Sequence, residues 1–378
     1  MTVPSLPTDT AAINWRKVIQ FLALTFSLTW IIDLIIWQTG GLTQGYPVIV
    51  SIQLQMLVPA FSAILLSLFV FRDSPINFRH YRGSPRWFFY FFLLFFMVYV
   101  LIAAWAWIRP DQAQLISAIV FAWNIIGLMI LLAVRAVSGR EAFTQAGLAG
   151  GKLIHWLLFG SAFVAFIALQ AALNIWFVPG TPFDLNQLTE GLAASGAPAS
   201  VLPPAGILFA IAAFQTIVVN SFIGLMAGFG EEYGWRGFLQ GELINIGRLR
   251  GVLLVGLIWG VWHLPLIWMG FNYPGYPLLG SILMVVFTLL LGVILGYAML
   301  KSASIWLVSF LHVLSNQTLS FTLVLVYTPS SPIYAFGIGI FGLLTMLVIV
   351  LLLSRDPVWR VKGDIQTPQY LPVEGQQP

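Results

Sequence analysis

The sequence predicts an all-α polytopic membrane protein, and three observations lead to that fold class. Of the 378 residues, 59% are hydrophobic and only 8% are charged, whereas soluble globular domains carry about a quarter charged residues. Ten stretches reach the roughly 20 apolar residues that a helix needs to cross a bilayer. These stretches lack the residue-by-residue alternation of an outer-membrane barrel. The composition therefore excludes a soluble enzyme, a disordered protein and a nucleic-acid binder.

The ten predicted transmembrane helices divide evenly around one long outer loop. We predict spans at 17–37, 48–71, 87–108, 113–134, 153–177, 205–228, 251–269, 277–300, 303–326 and 333–354. The resulting segments are a cytoplasmic leader 1–16, a five-helix scaffold or access region 17–177, an outer loop 178–204, a core 205–326, a last helix region 327–356 and a flexible cytoplasmic tail 357–378.

Basic residues in the loops predict the orientation of these helices. Of the 17 Lys and Arg residues, all but Arg109 fall on the same side when the ten spans alternate. Because Lys and Arg are retained on the cytoplasmic side, we predict that both termini are cytoplasmic. The formal net charge of +4 therefore follows from topology and requires no nucleic-acid partner. The absence of cysteine excludes disulfides, thiolate zinc ligands and a cysteine nucleophile.

Ionisable side chains inside predicted spans are candidates for function, because they are costly to bury in lipid. They are Asp33, Glu231, Glu232, Arg236, His263 and His312. Five of them lie on three helices of the second half of the chain. We expect Asp33 to have a structural role and to pair with a polar residue such as Gln55, or to be shallow enough for hydration.

The densest group is the segment Gly230–Arg236, at the inner end of the sixth predicted span. Glu232 and Arg236 are four residues apart, so they share a helical face in the favourable order for an ion pair. Glu231 lies about 100° around the helix and projects elsewhere. The alternative is that all three side chains form only a structural network at the membrane boundary.

Two further pairs lie on later helices. Trp259 and His263 share a face, and Pro265 is expected to kink or end that helix beside the histidine. His312 and Asn316 also share a face. Taken singly, His263 is as easily a buried structural histidine, and the His312 pair is as easily a polar contact between helices.

At 1.5 Å of rise per residue, Glu231, His263 and His312 reach similar depths in the cytoplasmic half of the bilayer. This match requires that the helix of Glu231 continue to Gln240. Glycine pairs at 224 and 228 and at 256 and 260 would allow close approach of helix backbones. The three groups are therefore expected to converge on one site.

A carboxylate and two imidazoles can hydrolyse a peptide by two routes. In the first, Glu231 with His263 activates water as a general base, while His312 and Asn316 stabilise the oxyanion. In the second, Glu231, His263 and His312 bind zinc, which activates the water. The sequence leaves both routes open.

These motifs resemble those of the CPBP family of intramembrane metalloproteases, also called Abi, which includes CAAX and bacteriocin-processing proteases. The matching residues are Glu231, Glu232 and Arg236, then Trp259 and His263, then His312 and Asn316, within 205–326. The family pattern has Phe where this chain has Trp259. The resemblance implies a conical helical core, like that of type II CAAX prenyl endopeptidases. It also implies that Glu231 activates water, that Glu232 pairs with Arg236, and that His312 and Asn316 are oxyanion donors or ligands.

The resemblance implies a protease of a prokaryotic cytoplasmic membrane. Its expected substrate is a membrane-associated peptide or lipidated protein, either of the prenylated CAAX type or bacteriocin-like, cleaved near the cytoplasmic face. The alternative is a non-proteolytic immunity or scaffold protein of the same family. A proton-linked carrier is disfavoured, because the two halves of the chain lack matching broken helices.

Overall fold

The fold is an assembly of long apolar helices, seen in a computed structural model that describes residues 13–195, 198 and 202–360. Most of the predicted leader, most of the predicted tail and five residues of the predicted outer loop lie outside the described residues. In chain order the helices are α1 Trp15–Gln38, α2 Tyr46–Phe69, α3 Arg86–Ile108, α4 Ala113–Gln145, α5 Leu153–Phe177, α6 Asn186–Ala194, α7 Ala205–Ala213, α8 Asn220–Ile223, α9 Leu225–Glu232, α10 Gln240–Leu243, α11 Arg248–Trp262, α12 Leu264–Trp268, α13 Pro277–Ser302, α14 Ile305–Leu325 and α15 Ile340–Leu353.

Eight helical stretches in the described residues are long and apolar enough to cross a bilayer, which makes the chain a multi-pass integral membrane protein. They are Trp15–Gln38, Tyr46–Phe69, Arg86–Ile108, Pro110–Gln145, Leu153–Phe177, Ala205–Ile223, Pro277–Ser302 and Ile305–Leu325. Each corresponds to one predicted span. Both termini being cytoplasmic stays a prediction.

The other two predicted spans contain shorter helices, for local reasons. In 251–269 the helix α11 ends at Trp262, and α12 starts at Leu264 with Pro265 in its first turn. This is the interruption that Pro265 predicted, since proline cannot donate a hydrogen bond within a helix. In 333–354 regular helix begins only at Ile340, after an irregular segment that contains Gly337 at φ 102°.

A small β-ribbon interrupts the otherwise helical architecture. The strands β1 Gly180–Pro182 and β2 Tyr327–Pro329 pair antiparallel, with Gly180 opposite Pro329. The ribbon joins the predicted outer loop to the segment that precedes α15. Sequence reasoning missed it because three-residue strands carry no detectable hydrophobic period.

The helix α9 lies in backbone contact with both α14 and α2. A Cβ atom at Gly224 would lie 2.8 Å from Val313 Cγ1, and one at Gly228 would lie 2.7 Å from Val313 Cγ2. A Cβ atom at Gly230 would lie 2.5 Å from the main-chain oxygen of Met56 on α2. Real Cβ atoms essentially never lie this close to a neighbouring atom. The glycines therefore allow the close approach that their spacing predicted, and they bring α9 against α14 and α2.

The second glycine pair packs α11 on α13. A Cβ atom at Gly256 would lie 2.9 Å from Leu289 Cα, and one at Gly260 would lie 2.8 Å from Val285 Cα. Both pairs thus serve helix packing, but each faces a different partner helix. Because α9, α11 and α14 carry the candidate site residues, these contacts set the distances across the site.

We expect Gly228→Ala to destabilise the protein, because the added methyl group would overlap Val313 and the Ser309 backbone on α14. Overpacking of this kind typically costs about 1–3 kcal/mol. Thermal unfolding of the purified protein in detergent measures the effect as a lower Tm. The control is Gly206→Ala in α7, where a Cβ atom meets no atom within 4 Å. An unchanged Tm for Gly228→Ala would contradict the packing described.

Candidate active site

The segment that carries the two adjacent glutamates is an unusual helix. After α9 ends at Glu232, residues Tyr233–Leu239 form a π-helical turn before α10 begins. The helical path therefore continues to Gln240, as the depth argument required. A π-helical segment is wider than an α-helix, and such segments are frequent at functional sites. Every residue from Gly228 to Gln240 is buried.

Glu232 accepts two hydrogen bonds at one carboxylate oxygen. Its Oε1 lies 3.0 Å from Arg236 Nη1 and 2.7 Å from His312 Nδ1. The side chains of Glu232 and Arg236 are both 0% exposed. The predicted ion pair is therefore present, and it is also linked to α14. Because Glu232 occupies Nδ1 of His312, the other ring nitrogen, Nε2, faces away from Glu232.

Glu231 points to the other side of the helix, as the 100° separation predicted. Its Oε2 accepts a hydrogen bond of 2.8 Å from the indole N–H of Trp259. Its Oε1 lies 3.8 Å from Nε2 of His312, which is too long for a direct hydrogen bond. This oxygen is thus available to another partner beside His312.

Trp259 contacts several other residues of the site. Besides its bond to Glu231, its ring lies over the guanidinium of Arg236, with 4.5 Å between the ring centroid and Cζ. It also packs edge-on against His312, with ring centroids 5.4 Å apart. The departure from the family's Phe was the available signal, because only Trp adds an N–H donor to the ring.

His263 lies at the break between α11 and α12. Its Nδ1 donates to the main-chain oxygen of Trp259 at 2.8 Å. Since a neutral imidazole has one donor and one acceptor, this bond leaves Nε2 with a lone pair. Asn316 lies one helical turn beyond His312 on α14 and is exposed. Its side-chain amide can therefore reach a bound molecule.

All four residues proposed as catalytic line the same chamber. It has a volume of about 220 Å³ and contains Glu231, His263, His312 and Asn316 in its walls. Trp259 lines it as well, whereas Glu232 and Arg236 lie behind it. The structure thus brings together the three groups that the sequence placed on separate helices.

The proposed metal ligands Glu231, His263 and His312 share the chamber without a metal-binding arrangement. Among the described residues, no group of three or more His, Cys, Asp or Glu side chains is arranged to hold a metal ion. Protein groups bind one oxygen of Glu231 and Nδ1 of each histidine, so Oε1 of Glu231 and both Nε2 atoms stay available to a ligand.

Residues 212–318 match the family described as type II CAAX prenyl endopeptidase Rce1-like. The chain contains an Rce1-like domain. The matched segment includes every residue of the three motifs, from Glu231 to Asn316, and lies inside the predicted core 205–326. No curated protein and no solved structure gave a significant match.

In this Rce1-like domain, we expect Trp259→Phe to separate the hydrogen bond of Trp259 from its packing. The ring over Arg236 is kept, but Glu231 loses its only indole donor and can rotate. We expect peptide hydrolysis to fall about tenfold, in line with the loss of one hydrogen bond to a charged group. Kinetics on purified protein measure this fall as kcat/KM.

The matched control is Trp306→Phe. The indole N–H of Trp306 donates to Leu148 at 3.0 Å, and Trp306 does not line the chamber. This control removes a buried indole hydrogen bond elsewhere and should leave kcat/KM unchanged. Equal losses in both variants would show that the Trp259 effect is only structural.

Proposed function

We propose that the protein is an intramembrane endopeptidase that hydrolyses a peptide bond of a membrane-associated substrate near the cytoplasmic face. One observation carries the proposal. Glu231 is fixed at Oε2 by Trp259, while its Oε1 faces His312 within a chamber that His263 and Asn316 also line. The match of 212–318 to the Rce1-like family supports the same conclusion.

The charges of the cluster balance when His312 is an imidazolium. Two carboxylates, Glu231 and Glu232, then face two cations, Arg236 and His312, so the buried group is neutral overall. Balanced pairing is what makes charges tolerable at membrane depth. In this state Nδ1 of His312 donates to Glu232, and Nε2 becomes a donor directed toward the chamber.

Hydrolysis then follows from the positions of these groups. A water molecule beside Oε1 of Glu231 loses a proton to that oxygen, while Nε2 of His263 accepts from its second hydrogen. The water oxygen bonds to the carbonyl carbon, and His312 with Asn316 donates to the resulting oxyanion. Glu231 then delivers its proton to the amide nitrogen as the carbon–nitrogen bond breaks. The products are a carboxylic acid and an amine.

A second cavity supports a substrate that carries a lipid. It has a volume of about 180 Å³, lies among α5, α13, α14 and α15, and is lined almost wholly by apolar side chains. It shares Phe287, Leu291 and Leu319 with the catalytic chamber. A peptide with an attached hydrocarbon chain could occupy both spaces. We therefore propose a lipidated substrate, of the prenylated CAAX class, over an unmodified bacteriocin-like peptide.

The decisive variant is Glu231→Gln. It keeps the size and polarity of the side chain but removes the general base, so cleavage should fall by about 10²–10⁴-fold. The measurement uses purified full-length protein and quenched fluorescent peptides, one ending in a farnesylated CAAX sequence and one without the lipid. The matched control Glu190→Gln changes an exposed glutamate and should retain full activity. Full cleavage by Glu231→Gln would refute the mechanism, whereas absence of cleavage by the wild type would favour an immunity or scaffold role.

Metal dependence can be tested on the same preparation. We propose that the water is activated by Glu231 and His263 without zinc, so 1,10-phenanthroline should leave the rate unchanged. The opposing result has three parts: loss of activity with the chelator, recovery with Zn²⁺, and one equivalent of zinc in the wild type that is absent from His263→Ala. That outcome would assign Glu231, His263 and His312 as zinc ligands.

A further inference from the structure

A buried polar pair from the first two helices reaches the catalytic chamber. Nε2 of Gln55 on α2 donates to Oδ1 of Asp33 on α1 at 2.6 Å. The exposed fractions are 1% for Gln55 and 3% for Asp33. This is the pairing that the sequence suggested for Asp33. Both residues lie outside the segment 212–318 that matches the Rce1-like family, so the family motifs assign them no role.

Each partner of this pair keeps one polar atom without a hydrogen bond. Oε1 of Gln55 and Oδ2 of Asp33 are buried and have no partner among the described residues. Unpaired acceptors are unusual in protein interiors and call for an explanation. Gln55 lines the chamber together with Glu231 and His312, whereas Asp33 does not. The unpaired acceptor therefore belongs to a side chain in the chamber wall.

The backbone of α2 adds a second acceptor at the same residue. Pro59 lies inside α2, four residues after Gln55. Proline has no N–H, so it cannot make the usual intrahelical bond to the carbonyl oxygen of Gln55. The main-chain oxygen of Gln55 therefore lacks its usual donor, in addition to the unpaired side-chain Oε1.

Close packing fixes Gln55 relative to the catalytic glutamate. Met56, the next residue on α2, has its main-chain oxygen 2.5 Å from where a Cβ of Gly230 would lie, and Gly230 precedes Glu231. On the other side, Thr29 of α1 accepts a hydrogen bond of 2.9 Å from the indole of Trp262, beside His263. Thr29 and Asp33 are four residues apart and share the buried face of α1.

We propose that Gln55 binds a main-chain N–H of the substrate next to the bond that is cut, and that Asp33 is a positioning residue for its amide. A peptide that enters a chamber within the membrane loses water from its N–H groups, and each such group then needs an acceptor. The side chain of Gln55 supplies the acceptor Oε1, while the hydrogen bond from its Nε2 to Asp33 holds the amide in place. The inference rests on the proposed peptidase function and names the substrate group that this site recognises.

The test measures peptide affinity with single N-methyl substitutions. The probe is a fluorescent peptide that ends in a farnesylated CAAX sequence, with each backbone amide methylated in turn, and with an unlipidated series alongside. Binding is measured by fluorescence anisotropy on full-length Glu231→Gln protein, which does not consume the peptide. One methylated position should weaken binding about tenfold, the change expected for loss of one buried hydrogen bond.

In the Glu231→Gln, Gln55→Met double variant, methylation of that same position should no longer weaken binding. Met matches the volume of Gln and offers no comparable acceptor, and the ratio of methylated to unmethylated affinity does not depend on the folded fraction. When Asp33→Asn is added to Glu231→Gln, methylation of that position should weaken binding about threefold instead of about tenfold. The control Asn124→Leu removes another buried polar pair, in which Nδ2 of Asn124 donates to Tyr99 at 2.6 Å, and should retain the full tenfold effect.

The outcomes separate this inference from the proposed function. Cleavage that depends on Glu231, with the same N-methyl profile in Gln55→Met as in the parent, overturns the inference and leaves the peptidase intact. If no cleavage occurs but the binding profile is as expected, the inference about Gln55 stands and the peptidase function is overturned. Failure of both peptide series to bind overturns the inference as well.

Discussion

The structure of the site depends on the hydrogen bonds that Glu232 accepts inside the membrane. Its carboxylate binds Arg236 and His312 at one oxygen, and neither Glu232 nor Arg236 is exposed. A buried ion that loses its partner typically costs about 3–5 kcal/mol, so these three side chains require one another. Because they lie on α9, the π-helical segment and α14, their pairing fixes how those elements are arranged. Arg236 extends the same constraint to α11 by stacking on Trp259.

Because of this constraint, the two neighbouring glutamates have different roles. Glu232 binds its two structural partners, Arg236 and His312, at Oε1, and it holds the His312 ring so that Nε2 faces Glu231. Among the described residues Glu231 accepts one close hydrogen bond, at Oε2, so its other oxygen can take part in chemistry. The close approach at Gly228 brings α9 against α14, the helix that carries His312.

Most of the features that the sequence could predict depend on the spacing of residues that are close together in the chain. The Glu232–Arg236 pair, the break at Pro265 and the ends of most long helices follow from residues within one or two turns. The pairing of Asp33 with Gln55 was expected because a carboxylate inside a membrane needs a polar partner. The bonds from Trp259 to Glu231 and from His312 to Glu232 join residues 28 and 80 positions apart. Their geometry is set by helix packing, which a single sequence does not specify.

The chamber also shows why the chain needs helices outside the Rce1-like domain. Its walls include Ile52, Gln55 and Met56 of α2, and α2 lies in backbone contact with α9 at Gly230. Without α2, the chamber beside Glu231 would lack one of its walls. The residues 212–318 supply the reacting groups, but α1 and α2 close the space around them and line it with a polar side chain. The first helices therefore contribute to the site itself, in addition to any role as scaffold or access route.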